Sequence, residues 1–406
     1  TYGSVQIDAN GDYTYTLANA SALVQALATG QTVTDSFTYR LTDAAGGSVT
    51  ATLLITITGV NDAPVIVGGA VLAYTENQAA TAIDPTVVLS DIDTGTLATA
   101  TVAITGNFAA GQDVLGFVNV AGMGNITGVY NAATGVLSLS SAGATATVAE
   151  WQTALRAVTY ANASDDPSVA PRTVRFGVSD GTAPSNEVDS TVTLAAAADA
   201  AVMTAGAVTT YVESGAAAIA DPTITVADAD DTQLAGATVQ ITAGFTAGDV
   251  LAFTAGFGIT GLYDPGTGVL TLSGVASIAD YQTVLRSATY ASTSADPTAV
   301  SAARTLSWQV TDANSDGLGA QVSAPVTSTV NITPVNNAPT LANGSTLGYT
   351  ENQAASPINP AIVVTDPDSV TMATATVSIT GNFAAGEDVL AFVNAGGMGN
   401  IAASYN

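Results

Sequence analysis

Short runs of alternating hydrophobic and polar residues recur along most of this chain. Residues 100–105, 135–140 and 172–178 each alternate, which is the period of a β-strand with one buried face. Turn-forming residues separate the runs, for example at 180–181 and 264–266. Many short strands at such spacing predict an all-β chain made of antiparallel β-sandwiches.

Two segments depart from this alternation and show helical spacing instead. Trp151, Leu155 and Val158 follow one another at intervals of four and three residues, and the same pattern returns from Tyr281 onward. Apolar residues at these intervals lie on one face of a helix. We therefore expect one short helix in each long unit, crossing one end of the sandwich.

The chain also repeats over distances the length of a domain. The sequence Tyr-Thr-Glu-Asn-Gln-Ala-Ala at Tyr74 recurs at Tyr349, with Tyr211-Val-Glu between them, so successive copies start 137 and 138 residues apart (74 to 211 to 349). This period is too long for a solenoid and fits a whole domain. The predicted units are 1–62 (the first segment), 63–199 (repeat A), 200–337 (repeat B) and 338–406 (repeat C, the N-terminal half of a truncated copy).

The first segment has a pattern of its own. Strands are predicted at 4–7, 13–17, 36–41 and 48–57, with Gly11-Asp12 as a hairpin turn between the first two. We interpret residues 1–62 as the C-terminal part of a related β-module whose beginning is missing.

Charge narrows the classes of function. Only 10% of the 406 residues are charged, and 6 basic against 33 acidic residues give a net charge of −27. The chain lacks the clustered cations that binding to nucleic acid or anionic lipid requires. An excess of carboxylates instead attracts hard cations, above all Ca²⁺. Adaptation to high salt is an alternative, but it spreads acids over the surface, whereas here they gather at recurring positions.

Two residue types are missing altogether. The chain has no Cys and no His, which excludes zinc sites built on thiolate or imidazole and nucleophiles of the Cys–His or Ser–His–Asp type. It also has no run of about 18 apolar residues, so no membrane insertion is predicted. These exclusions favour a role other than catalysis.

The acidic residues recur at four places in the pattern. These are a linker pair, a Glu near the first strand, an Asp-x-Asp pair further on, and an Asp just after a strand of the preceding unit. The residues are Asn61, Asp62, Asp199, Asn336 and Asn337 in linkers; Glu76, Glu213 and Glu351; Asp91, Asp93, Asp228, Asp230, Asp366 and Asp368; and Asp43, Asp180 and Asp312. Asp and Asn beside Gly or Pro are also ordinary turn residues, so that interpretation stays open.

The chain resembles two kinds of bacterial module. Residues 3–8, 10–15, 33–39 and 58–64 of the first segment resemble the VCBS repeat of bacterial surface proteins. The long repeats look like the bacterial cadherin-like modules that follow such repeats in giant RTX-type adhesins and biofilm proteins. Together the two resemblances cover nearly the whole chain, although the RTX nonapeptide itself is absent.

This resemblance implies immunoglobulin-like sandwiches, display outside the cell on the bacterial surface, and a structural or adhesive role. It makes the four acidic places candidate Ca²⁺ ligands that gather at each junction, where the metal would remove like-charge repulsion and stiffen the array. The implied partners are neighbouring repeats of the same chain, together with other cell-surface proteins or glycans. Ala198 and Ala201 replace Asn and Pro of the pattern, which predicts a weaker or missing middle site, and Asn337 removes one charge from the third.

Two further sets of residues are interpreted as structural. Asp113, Asp249 and Asp388 recur before Val-Leu, and we interpret them as turn residues. Arg156 and its counterpart Arg286 are predicted to pair with a carboxylate at the end of the sandwich, because a guanidinium suits fixed bidentate pairing.

The aromatic residues separate two of the functional alternatives. Trp151, Phe176, Tyr281 and Trp308 are predicted to lie in the core. If they were exposed they would favour a carbohydrate-binding module array. A hydrolase with an acid dyad is the remaining alternative, but catalytic sites are seldom copied in every module.

Overall fold

The computed structural model describes residues 1–406, and most of its regular structure is β-sheet. Strands account for 41% of the residues and helices for 6%, which confirms the predicted all-β tandem repeat. None of its helices is long and apolar enough to cross a membrane.

The first segment contains two separate β-hairpins and a short helix. Its elements are β1 (Gly3–Ile7), β2 (Tyr13–Leu17), α1 (Ala22–Gln25), β3 (Thr32–Thr42) and β4 (Ser48–Thr58). Each predicted strand lies within one of these, and the predicted turn is closed by Asp8 N–H donating to Asp12 O at 2.9 Å. Because β1-β2 and β3-β4 are separate two-stranded sheets, the buried hydrophobic side chains here are only Val24, Leu27 and Ile57.

Repeat A folds into three sheets around one core. Its elements are β5 (Val65–Val67), β6 (Val71–Thr75), β7 (Thr81–Ala82), β8 (Val88–Ser90), β9 (Thr99–Gly106), β10 (Asp113–Gly116), β11 (Ile126–Asn131), β12 (Val136–Ser141), a 3₁₀ turn (Ala142–Ala144), α2 (Val148–Arg156), β13 (Thr159–Asn162), β14 (Arg172–Ser179) and β15 (Val188–Ala195). The sheets have the strand orders β11-β12-β9-β14-β15-β6, β10-β13-β7 and β5-β8.

Repeat B has the same topology. Its elements are β16 (Val202–Thr204), β17 (Val208–Val212), β18 (Ala218–Ile219), β19 (Thr225–Ala227), β20 (Gln233–Ala243), β21 (Asp249–Ala252), β22 (Thr260–Asp264), β23 (Val269–Ser277), α3 (Ile278–Arg286), β24 (Thr289–Ser292), β25 (Ala303–Asp312) and β26 (Val326–Thr333). Its sheets run β17-β26-β25-β20-β23-β22, β18-β24-β21 and β16-β19.

One pair of strands in each repeat is parallel, which the prediction of antiparallel sandwiches does not include. The first strand of repeat A is split: β5 pairs antiparallel with β8, and β6 pairs parallel with β15, the last strand. Gly69, at φ +114°, lies between the two halves and allows the chain to cross from one sheet to the other. The parallel pairing ends with Thr75 opposite Ala195, so both strands leave the sandwich at the same end.

The predicted helix is present in both repeats. Thr147 caps α2 through a capping box with Glu150: Glu150 N–H donates to Thr147 Oγ1, and Thr147 N–H donates to the Glu150 carboxylate. Gln152 on this helix accepts a hydrogen bond from Leu89 N–H at 3.0 Å. The helix is thereby fixed against β8.

Each long repeat has its own core. One cluster of 25 buried residues runs from Ile66 to Leu194 and a second from Ala201 to Ile332. The predicted burial of the aromatic residues is confirmed, because Trp151, Phe176, Tyr281 and Trp308 are each 0% exposed.

The buried ion pairs differ from those predicted. Asp113 does accept a turn hydrogen bond from Ala109 N–H, but it is buried and its Oδ2 also lies 3.1 Å from Arg172 Nε. Arg156, predicted to pair with a carboxylate, instead donates from Nε to the main-chain oxygen of Val87 at 2.7 Å. Arg286 likewise donates to a main-chain carbonyl, because the helix places both guanidinium groups over a strand end and not beside an acid.

Repeat C has little regular structure. Its strands are β27 (Thr340–Ala342) and β28 (Val363–Thr365), which form a two-stranded antiparallel sheet. None of residues 338–406 is buried, so this part of the chain has no core of its own.

Candidate metal sites at the junctions

The recurring Glu of each long repeat lies at the junction that follows its repeat. Because β6 runs parallel to β15, Glu76 emerges beside the departing chain, and its N–H donates to Ala195 O at 2.9 Å. Glu213 is placed in the same way, with its N–H donating to Thr333 O at 3.0 Å. The sequence pattern groups Glu76 with Asn61 and Asp62, and this grouping is wrong, since they lie at opposite ends of repeat A.

An equivalent hydrogen bond is present at each of the three junctions. In each, the main-chain N–H of the linker residue donates to the second carboxylate of the following Asp-x-Asp pair. The donor and acceptor pairs are Asp62 with Asp93 (3.2 Å), Asp199 with Asp230 (2.9 Å) and Asn337 with Asp368 (2.7 Å). The linkers and the Asp-x-Asp pairs therefore do meet, as the sequence predicts.

The middle junction, between repeats A and B, contains a group we call the linker cluster: Glu76, Asp165, Asp199 and Asp230. One carboxylate oxygen from each of Glu76, Asp165 and Asp199 lies within 4.8 Å of the others. Glu76 is only 5% exposed. Repeat A supplies Glu76 and Asp165, and repeat B supplies Asp230, so the cluster bridges the two units.

A second group at the middle junction, the loop cluster, consists of Asp228, Asp231, Asp312 and Asp316 of repeat B. Oxygens of Asp228, Asp231 and Asp312 also lie within 4.8 Å of one another. One oxygen of Asp231 accepts from Ser315 and from Asp316 N–H, which folds the 314–316 turn back onto the cluster. Asp231 and Asp312 are 3% and 0% exposed.

These carboxylates lack the donors that buried acids normally have. Six buried oxygens at the middle junction have no hydrogen-bond partner; they belong to Glu76, Asp199, Asp228, Asp230, Asp231 and Asp316. The four ion pairs of the chain involve none of these residues. A buried carboxylate oxygen without a partner is costly, so the cluster is incomplete without a positive group.

The pKa values of three of these acids are raised. Burial, followed by the charges of neighbouring acids, raises the pKa of Glu76 and of Asp199. Burial, together with the hydrogen bond to Asp230, raises the pKa of Asp228 to about 6. An acid whose pKa rises is less stable when ionised, and a bound cation reverses that preference.

The first junction is less acidic and has an amide donor. Asn61 Nδ2 donates to Asp180 Oδ2 at 2.8 Å. Although burial opposes it, hydrogen bonds from Ala183 N–H and from Asn61 lower the pKa of Asp180. Asp91 keeps one buried oxygen without a partner. The strand-end Asp thus belongs to the junction before its repeat, which corrects the predicted grouping with the junction that follows.

At the third junction, between repeats B and C, the side-chain amide of Asn337 donates hydrogen bonds to repeat B. Asn337 Nδ2 donates to Glu213 Oε1 at 2.9 Å and to Ala295 O at 2.7 Å. Asn336 Nδ2 donates to Asn337 O at 2.9 Å. Asp366 accepts from Asp368 N–H within the loop, and one oxygen of Asp368 remains free.

Two predicted site residues lie apart from the junctions. Asp43 occupies the turn between β3 and β4, where its Oδ1 accepts from Ala45 N–H and Gly47 N–H. The β3-β4 hairpin pairs over eleven residues, which separates this turn from Asn61. Glu351 is exposed in a turn of repeat C. The turn interpretation therefore describes Asp43.

Sequence reasoning missed Asp165, Asp231 and Asp316. Counterparts of the first two in other repeats are Ala295 for Asp165, and Thr94 and Ser369 for Asp231. Because these acids do not recur, a search for repeated positions passes over them. Their signal is local: Asp165 and Asp231 each lie next to another Asp, in a chain with few charges.

The donor chemistry of the middle junction fits Ca²⁺. Ca²⁺ binds six to eight oxygens, and carboxylates and main-chain carbonyls are its usual ligands in proteins. The two clusters together provide eight carboxylates and no nitrogen or sulfur ligand. Softer metals, which favour imidazole or thiolate, have no ligand here.

Solved structures similar to this chain include vertebrate cadherins. A mouse clustered protocadherin, PcdhgC3 domains EC1-3, is 12% identical and matches over 81% of this chain and 85% of its own, with a TM-score of 0.30. Mouse cadherin-23 domains EC22-24 are 13% identical over 82% of each chain, with a TM-score of 0.31. Scores at this level do not establish a shared overall arrangement.

Among sequences, one curated relative and one family model match. Halomucin from Haloquadratum walsbyi is 31% identical, and the match covers 47% of this chain and 3% of halomucin, so the chain spans a small part of that relative. The bacterial cadherin-like domain family matches residues 1–59, the part that resembles a VCBS repeat. The match confirms a resemblance to a bacterial cadherin-like module for residues 1–59.

Proposed function

We propose that this chain is a structural and adhesive repeat segment of a secreted bacterial surface protein, without enzymatic activity, in which Ca²⁺ at the junctions rigidifies the array. Its units are 1–62, 63–199, 200–337 and 338–406. Its partners are the neighbouring repeats, and cell-surface proteins or glycans outside the chain. The tandem β-sandwiches, the family match of residues 1–59 and the similarity to halomucin support this role.

One observation carries the calcium proposal: the six unpartnered carboxylate oxygens buried at the middle junction. When bound there, Ca²⁺ supplies the positive charge that no side chain provides. Glu76 and Asp165 would hold it from repeat A, and Asp199 and Asp230 from the linker and repeat B. Since the ligands come from both units, their binding restrains the angle between the units.

The same geometry explains why the middle junction would be mobile without metal. Four ionised acids in the linker cluster repel one another, and the repulsion is relieved when the units separate. Across the middle junction, a single hydrogen bond joins the main-chain N–H of Asp199 to the carboxylate of Asp230. Extracellular modules of this type bind Ca²⁺ with Kd values of roughly 10⁻⁴ to 10⁻³ M.

Small-angle scattering and thermal melting of the full chain test this proposal. We expect EDTA to broaden the distance distribution and to lower the Tm relative to Ca²⁺, because a ligand that binds only the folded form stabilises it by about 1.4 kcal/mol at ten times its Kd. The charge control is Asp264→Asn, which changes an exposed turn acid and should leave the Ca²⁺ response intact. Identical scattering and Tm in Ca²⁺ and EDTA would sink the metal role.

The aromatic side chains do not support the carbohydrate-binding alternative. The four aromatic side chains that would have formed sugar-stacking platforms are 0% exposed in the two cores. Binding of the chain to a glycan array would revive that alternative. For a hydrolase, the acids are gathered at hinges between units, where a substrate cleft would change shape with every motion of the joint.

A further inference from the structure

The middle and third junctions can be compared position by position in the linker cluster. Both have the Glu at the end of the first strand and the second Asp of the Asp-x-Asp pair. They differ at two positions: Asp165 of the middle junction corresponds to Ala295, and Asp199 corresponds to Asn337. The third junction therefore has two fewer negative charges in the same main-chain frame.

The main-chain frame is the same in detail. Ala197 N–H donates to Glu76 Oε2, and Val335 N–H donates to Glu213 Oε2, both at 2.9 Å. The oxygens that remain are Oε1 of Glu76 and Oε1 of Glu213. The two linker clusters differ in what this Oε1 oxygen meets.

At the middle junction Glu76 Oε1 receives no hydrogen bond and is buried. One carboxylate oxygen from each of Glu76, Asp165 and Asp199 lies within 4.8 Å of the others. At the third junction Glu213 Oε1 receives the amide of Asn337 at 2.9 Å. The second hydrogen of that amide is used by Ala295 O, the main-chain oxygen of the residue that replaces Asp165.

We propose that the Asn337 amide takes the place of the cation at the third junction, so that the linker cluster binds Ca²⁺ at the middle junction and not at the third. This inference rests on the proposed calcium role. The amide puts two N–H donors where the middle junction needs a positive charge, and the change to Ala295 removes the third carboxylate. Only one buried carboxylate oxygen, on Asp368, is left without a partner in the third linker cluster, which is too few for a metal that binds six to eight oxygens.

The array then has two kinds of joint. The middle joint stiffens when external Ca²⁺ rises, whereas the linker contact of the third joint is held without metal. This reverses the order suggested by the linker sequences, in which Ala198 and Ala201 made the middle joint the weaker candidate.

Exchanging the differing residues between the middle and third junctions tests where Ca²⁺ binds. Ca²⁺ is titrated calorimetrically into the full-length wild type, into a double variant Asp165→Ala with Asp199→Asn, and into a double variant Ala295→Asp with Asn337→Asp. We expect the first variant to bind one Ca²⁺ fewer than wild type and the second to bind one more. Far-ultraviolet circular dichroism and the melting curve in EDTA establish that each variant is folded.

Distances between pairs of spin labels show whether Ca²⁺ acts at the middle joint. The chain has no Cys, so pairs of introduced Cys residues can be labelled cleanly, at Thr153 with Thr283 across the middle joint. We expect Ca²⁺ to narrow this distance distribution in wild type and not in the first variant.

The two hypotheses fail in different ways. If wild type binds no Ca²⁺ and its middle joint does not respond, the proposed calcium role is wrong. If wild type binds Ca²⁺ but the stoichiometry is unchanged in both exchanged variants, calcium binds elsewhere and the assignment to Asn337 is overturned. Single Asn337→Asp should gain less binding than the double variant, because Ala295 still lacks a carboxylate.

Discussion

Arg304 Nε lies 2.7 Å from Asp249 Oδ2, and both side chains are completely buried in repeat B. Tyr290 Oη donates to the other oxygen of Asp249 at 2.6 Å, and Arg304 Nη2 donates to Pro297 O at 2.7 Å. The pair therefore ties strand β25 to β21 and to the loop that precedes β25. Arg172 and Asp113 form the same pair in repeat A.

Removal of Arg304 should be strongly destabilising. Arg304→Ala leaves the Asp249 charge buried without a counter-ion, which costs about 3–5 kcal/mol. Hydrogen exchange followed by mass spectrometry resolves the two repeats, and we expect faster exchange throughout repeat B with repeat A unchanged. The matched control is Arg175→Ala, whose partners Asp189 and Glu187 are exposed and whose loss should cost less than about 1 kcal/mol. Equal effects of both changes would contradict this account.

Asp84 should make repeat A sensitive to acid. Its carboxylate accepts from the N–H groups of Gly69 and Ala70 and from the hydroxyl groups of Thr86 and Ser190. Although burial opposes it, these bonds hold the pKa of Asp84 at about 2. A lowered pKa contributes stability above the unfolded value near 3.8, and this contribution is lost as the pH falls toward 2.

Asp84→Asn tests this contribution. The amide nitrogen faces donors where an oxygen accepted before, so we expect a loss of about 1–3 kcal/mol at pH 7 and a smaller further loss between pH 4 and pH 2 than in wild type. Urea unfolding at several pH values measures both. Asp221 makes the matching contacts in repeat B and serves as the internal comparison; an unchanged pH profile would count against the role of Asp84.

Glu76 and Glu213 should respond oppositely to the same substitution. Glu76→Gln removes one of several close like charges, a repulsion on the order of 1 to 4 kcal/mol per pair, so we expect a higher Tm in EDTA and a smaller gain from Ca²⁺. Glu213→Gln weakens the acceptor of the Asn337 amide and should lower the Tm in EDTA. Differential scanning calorimetry with and without Ca²⁺ measures both. A fall of the Tm in EDTA for Glu76→Gln would show that the linker cluster is not repulsive.

The cap of α2 should stabilise repeat A measurably. Thr147→Ala removes the side-chain acceptor of Glu150 N–H, and loss of such a cap costs about 1 kcal/mol. The control on the same helix is Thr153→Ala, an exposed position whose hydroxyl only bonds back to Ala149 O and which should change stability by less than about 0.5 kcal/mol. Urea midpoints of the two variants give the comparison.

Hydrogen exchange should separate repeat C from repeats A and B. Residues 338–406 bury no side chain and form one short pair of strands, so their amides should exchange much faster than those of β9, β14, β20 and β25. Few buried contacts and exposed hydrogen bonds are the properties of segments that open easily. Slow exchange across residues 340–406 would contradict this expectation.

The sequence by itself determined the elements and their repetition. Alternation predicted the strands because every second side chain of a strand meets the core. The spacing of Trp151 and Leu155 predicted α2 because those residues share one helical face, whereas Val158 lies just beyond the end of the helix. The recurring acids located the junction residues, because a site formed by neighbouring copies reappears in the sequence at the same interval.

Only the tertiary structure decided which acids meet. The parallel pairing of β6 with β15 places Glu76 beside Asp199 and not beside Asp62, although Asp62 is much nearer in the chain. Asp165 and Asp231 join the clusters without recurring in other repeats, and Arg172 selects Asp113 across 59 residues of chain. The physical reason is that local periodicity records which face of a strand is buried, whereas strand order and direction decide which strand ends share one end of the sandwich.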